Sequence, residues 1–118
     1  MADINVTQTE VRPNVFRWTA ILGANDKTAP IQFPALADKT VQVTGTFSGA
    51  QALVEGSCVE TPTTDAEYNT LRDSAGNLLT FTSSGCETIV QVVPHLRVRL
   101  SGGDVNTAVK IVVIGRAT

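Results

Sequence analysis

The chain has 118 residues, 42% of them hydrophobic and only 17% charged, which describes one domain able to bury a core without metals or crosslinks. A net charge of −2 and a pI near 5.2 argue against nucleic acid or an anionic membrane as partner. No apolar run approaches the ~20 residues of a membrane helix, so no membrane association is expected.

The opening residues, MADINVTQTEVRPN, carry neither a basic start nor an apolar segment of the secretory type. The expectation is a protein that stays in the cytoplasm where it is made or leaves by lysis. Residues 1–14 are polar apart from Ile4, Val6 and Val11, and read as an extended N-terminal arm, frayed or tied down on a partner. Residues 15–118 then form a single domain.

Val15–Leu22 alternates cleanly, with Phe16, Trp18, Ala20 and Leu22 on one face. It is a strand, and Trp18 is its expected deepest core residue. Gly23–Asp26 is a turn. Lys27–Phe33 reads as a short strand pushed to an edge or into a loop by Pro30 and Pro34. Ala35–Asp38 fits a helical turn with Pro34 at its first position.

Thr40–Cys58 is the most informative stretch. Val41, Val43 and Phe47 oppose Thr40, Gln42, Thr44 and Thr46, the period-two pattern of a strand buried on one face. Ser48-Gly49-Ala50 is a short turn, and Gln51–Cys58 is a second strand, so the pair is expected to form a hairpin. Val59–Glu67 is a polar loop long enough to reach away from the body. Within it, Thr64–Glu67 suits a capped helical turn, although a strand over Tyr68–Asp73, turning at Ser74–Asn77 into Leu78–Thr82, is the stronger expectation. Leu79 and Phe81 then face inward.

Cys86–Val93 reads as a strand apolar on both faces and ended by Pro94. His95–Ser101 alternates best, with Leu96, Val98 and Leu100 inward and His95, Arg97, Arg99 and Ser101 outward. After the turn Gly102–Asn106, Ala108–Ile114 is nearly continuous apolar sequence and is placed centrally, covered on both faces. Short strands at regular spacing between Gly, Asn, Asp and Ser turns give an all-β fold, an antiparallel β-sandwich of jelly-roll-like type.

Chemistry-bearing groups are sparse. The single histidine, His95, lies beside two arginines, and its pairing with Cys58 or Cys86 as nucleophile and base lacks a supporting pattern. One His and two distant Cys do not offer the three or four ligands of a metal site. Gly102-Gly103-Asp104 lacks the Lys-Ser/Thr ending and following helix of a phosphate loop. No cofactor is expected, and an enzyme ranks last. The cysteines read as buried free thiols, with a disulfide open if their Cα atoms come within ~7 Å. Arg97 and Arg99, two apart on an outward face, suggest a protein-contact patch or ordinary solvated residues.

Three segments carry a family likeness: GTFSGA-x-x-LVEGS at Gly45–Ser57, Y-x-x-LRD-x-x-GN-x-LTFT at Tyr68–Thr82, and LRVRLSGGD at Leu96–Asp104, with a closing hydrophobic strand to Gly115-Arg116. Together they resemble small β-rich virion structural proteins of tailed bacteriophages, most of all those that decorate or cement the capsid. The resemblance spans residues 40–116. It implies no catalysis. It implies binding to the major capsid protein on the outer capsid surface of the virion, after synthesis in the host bacterial cytoplasm, usually as a homodimer or homotrimer.

The contact residues expected on this reading are Ile4, Val6 and Val11 of the arm, Thr61, Thr63, Asp65 and Glu67 of the loop, and Arg97 and Arg99. Similar proteins also occur at the phage neck and tail, which makes a head–tail adaptor or tail ring the alternative. A carbohydrate-binding β-sandwich comes third, since it needs exposed aromatics on a platform and most of the six here fall at inward positions.

Overall fold

A computed structural model describes residues 3–32, 36–91 and 93–117. In chain order the strands are β1 (Asp3–Ile4), β2 (Thr7–Arg12), β3 (Val15–Leu22), β4 (Lys27–Thr28), β5 (Ile31–Gln32), β6 (Leu36–Thr46), β7 (Gln51–Ser57), β8 (Asn69–Thr70), β9 (Thr80–Phe81), β10 (Gly85–Ile89), β11 (His95–Ser101) and β12 (Ala108–Ala117). Among the described residues there is one 3₁₀ turn, at Asp65–Glu67, and no α-helix.

The strands form two sheets, antiparallel except for the β1–β4 pair. The first runs β1-β4-β11-β7-β8, with β5 also on β11 and β9 also on β7. The second runs β10-β6-β12-β3-β2. They pack on one apolar core. Trp18, Leu22, Val41, Val43, Ile111 and Val113 come from the second sheet, and Val54, Leu96, Val98 and Leu100 from the first.

The alternation of β3 holds over its expected span, Val15–Leu22, with Trp18, Ala20 and Leu22 buried. The deepest of these is Leu22, fully enclosed, whereas Trp18 keeps 5% of its surface. A large indole reaches the edge of a thin core that a leucine fits within.

The two strands of the Thr40–Cys58 stretch do not form a hairpin. β6 belongs to the second sheet and β7 to the first, so Ser48-Gly49-Ala50 carries the chain across the core from one sheet to the other. Local backbone makes the crossing. Gly45 has φ +124 and a Cβ there would strike the Ala108 carbonyl, while Ser48 and Gly49 also take positive φ. Both strands still bury their apolar faces, which is why alternation alone could not tell a crossing from a hairpin. The chain crosses again between β9 and β10, between β10 and β11 and between β11 and β12.

Other expectations shift. Asp38 and its strand neighbours continue β6 instead of forming a helical turn, because β12 pairs with them from Arg116 onward; Ala35 and Pro34 lie outside the described residues. Pro30 divides the expected Lys27–Phe33 strand into β4 and β5, with Phe33 outside the described residues. The strand after Cys86 ends at Ile89, with Val90 exposed, so it is not apolar on both faces.

β12 is central in its sheet as expected, but covered on one face only. Val109, Ile111 and Val113 are buried, whereas Lys110 is exposed and Val112 and Ile114 are half-exposed. Both cysteines are exposed and free. Cys86 points out from β10 opposite Gln42, and Cys58 follows the end of β7. Residues 3–12 of the expected arm form β1, an edge of the first sheet, and β2, an edge of the second.

Candidate functional site

The densest grouping of charge lies on the outer face of the first sheet. Period two places His95, Arg97 and Arg99 of β11 on the face away from the core, as expected. They are not solvated there: His95 and Arg97 are buried and Arg99 is half-buried. The cause is the Cys58–Glu67 loop, which folds back over β11 instead of reaching away.

Arg97 is the centre. Its Nε donates to Glu55 Oε1 at 2.8 Å, and Nη1 donates to Asp65 Oδ1 at 2.8 Å. Its guanidinium carbon sits 4.0 Å from the centre of the Tyr68 ring. Glu55 comes from β7, directly opposite Arg97 in register. Its second oxygen accepts from Nε and Nη2 of Arg99, both at 3.2 Å. Lys27 of β4 donates to Asp65 at 2.8 Å and lies 3.5 Å from Asp3. Three cations therefore face three carboxylates, and one of those, Asp65, belongs to the covering loop.

Two further contacts hold the loop. His95 Nε2 donates to the Glu60 carbonyl at 3.0 Å. The Glu67 carboxylate accepts the backbone N–H groups of Thr63 and Thr64 at 2.9 and 3.1 Å, closing the 3₁₀ turn.

The electrostatics follow from these partners. Hydrogen bonds from Lys27 and Arg97 hold the Asp65 carboxyl down at about 2. Burial would lower the Arg97 pKa, but its bonds to Asp65 and Glu55 overcome that and keep it raised. The bond to Asp65 raises Lys27. The N–H groups of Thr63 and Thr64 lower Glu67. Burial raises Tyr68, whose hydroxyl is enclosed with no hydrogen-bond partner among the described residues.

A cavity of about 120 Å³ opens beside the cluster, lined by Asp3, Lys27, Thr63, Asp65, Tyr68 and Arg97 among others. The charges around it neutralise one another. The arrangement is a latch that pins a loop to a sheet: the Arg97–Glu55 pair is enclosed beneath the loop, while Asp65, which ties the loop to Lys27 and Arg97, stays exposed at its outer side. Among the described residues no three His, Cys, Asp or Glu side chains converge as a metal site.

Of the residues expected to make contacts, Asp65, Arg97 and Arg99 come together here, with Thr63 and Glu67 beside them. Thr61 and Thr63 are exposed on the loop. Ile4, next to Asp3 on β1, and Val6 are half-buried and pack against the core; Val11 is exposed on β2. Sequence reasoning missed Lys27, Glu55 and Tyr68. Glu55 lies inside the buried run Val54–Ser57, a position where a carboxylate demands a cation opposite.

The fold and latch define a two-sheet all-β module with a pinned surface loop. No protein-family model, curated protein or solved structure matches the chain.

Proposed function

We propose that this is a phage capsid decoration protein, which binds the outside of the head shell and clamps neighbouring major capsid subunits. One observation supports the reading most. The three segments that carry the likeness to virion proteins are distant in sequence, yet β7, β8, β9 and β11 lie side by side in one sheet. Its outer face bears the latched loop, which displays Thr61 and Thr63 in a fixed conformation. Pinning a loop before binding lowers the entropy lost on docking, and a contact repeated over a symmetric shell gains from multivalency.

On this reading the fold is a jelly-roll-like sandwich, in keeping with the repeated crossings between sheets. The part of the N-terminal arm falls to β2, whose outer edge has no neighbour among the described residues and is suited to adding a strand from a partner. Homodimers or homotrimers would place several such loops on the shell at once. The test is to mix purified protein with expanded capsids, pellet them, and count copies per shell by densitometry and electron microscopy. Copies spread in hundreds over the faces support decoration, a handful at one vertex moves the protein to the neck or tail, and absence from the pellet overturns the proposal.

A further inference from the structure

A second surface draws attention on the opposite sheet. The turn before β12 carries Val105, which is 98% exposed. Loose turns expose side chains by default, but this one is rigid. Asp104 Oδ1 accepts the Asn106 N–H at 2.8 Å, the Asp104 N–H reaches Thr107 Oγ1 at 2.9 Å, and the Thr107 N–H returns to the Asp104 carbonyl at 3.1 Å. The Thr107 hydroxyl then donates to the Phe47 carbonyl at 3.3 Å, tying the turn to the β6–β7 crossing. The valine is held out as a fixed knob, with the Asp104 carboxylate beside it free of any ion pair among the described residues.

At the other end of the same sheet lies a shallow recess of about 300 Å³ on the outer face, lined by Val15, Asp38, Thr40, Ile114, Gly115 and Arg116. Its floor is aliphatic, and Arg116 and Asp38 satisfy each other at its rim. Arg17 stands opposite Ile114 in register and has no carboxylate partner among the described residues. The turn offers an apolar side chain beside a carboxylate, and the recess offers an aliphatic floor with an uncompensated guanidinium nearby, so the two are alike in polarity and opposite in charge.

They cannot meet within one chain. Ala108 and Ile114 are six residues apart on β12, about 20 Å at the usual rise per strand residue. A face-to-face pairing of two recesses would bring Arg17 against Arg17. We infer that the occupant of the recess is the Val105 turn of a second copy, seated head to tail, with Asp104 against Arg17. Such a contact is heterologous: each copy retains a free knob or a free recess, so association continues into a ring or a row. The inference does not depend on the capsid reading.

A single knob buries far less than the ~1,000 Å² of a stable interface, so the expected dissociation constant is ~0.1–1 mM. The test uses the full chain with Cys58→Ser and Cys86→Ser, by sedimentation equilibrium up to ~1 mM. The mass-average is expected to rise with concentration. Val105→Ser, Arg17→Glu and Asp104→Lys should each weaken association at least ~5-fold, and Arg17→Glu with Asp104→Lys together should recover to within ~2-fold, the signature of a direct charge pair. In the same background, oxidation of Val105→Cys/Thr40→Cys should give a ladder beyond the dimer. Either single cysteine variant carries one thiol and stops at the dimer. A monomer at every concentration, no recovery in the charge-reversed pair when its melting point is unchanged, or a double-cysteine product that stops at the dimer would each overturn the inference.

Discussion

Arg97 and Glu55 face each other across β11 and β7 with 2.8 Å between Nε and Oε1, and their side chains are 5% and 6% exposed. An ion pair enclosed to that degree gains little over an apolar pair of the same shape, but losing Glu55 leaves the buried Nε of Arg97 unpaired, with only the exposed Asp65 still bonded to Nη1. Glu55→Gln or Glu55→Ala should therefore destabilise the fold by about 3–5 kcal/mol. A denaturant titration checks this. A loss below ~1 kcal/mol would mean that the loop opens to let water reach Arg97.

Asp65 brings pH into the same latch. Its carboxyl titrates near 3.8 when free and near 2 in the fold. The folded value is the lower one, so the carboxylate supports the fold fully above about 4 and loses that support as pH falls toward about 2. Thermal midpoints measured through this window should fall for the wild type, and the part due to Asp65 should vanish in Asp65→Asn. Identical acid profiles for the two proteins would remove Asp65 from the latch.

Tyr68 separates the ring from the hydroxyl. The ring lies over Arg97, while the buried hydroxyl has no partner among the described residues. Tyr68→Phe keeps the cation–π contact and removes an unsatisfied polar atom, so stability should hold or rise by up to about 1–2 kcal/mol. Tyr68→Leu, which loses the aromatic face, should be the less stable of the two. A clear loss in Tyr68→Phe would show that the hydroxyl is hydrogen-bonded in solution.

Cys58 and Cys86 are both exposed in the folded chain. A thiol reagent should label both under native conditions, without denaturant, and mass spectrometry should count two adducts on the intact protein. Labelling that waits for unfolding would return the cysteines to the interior.

Alternation of apolar and polar residues records one-sided burial, and burial of one face is a local property of a strand. That is why the span of β3, the inward triad Leu96, Val98 and Leu100, and the central place of β12 could be read from the chain. The partner of each strand is a different matter. β6 and β7 look like a hairpin because a crossing and a hairpin need the same short turn and the same alternating flanks. The choice between them lay in the backbone of Gly45, Ser48 and Gly49 and in the pairing of β12 with β6.

The outward face of β11 shows the same divide. Alternation gave its direction correctly, and Arg97 and His95 do point away from the core. Their burial came from a loop more than thirty residues earlier in the chain, drawn in by Asp65 and the Glu60 carbonyl. Charges find partners through space, and no spacing within HLRVRLS encodes a carboxylate delivered by another segment. The cysteines fell the other way: small and apolar enough for a core, they sit where β10 and the end of β7 turn toward solvent. Residue type records what a position tolerates, and the packing of distant segments settles which side of it meets water.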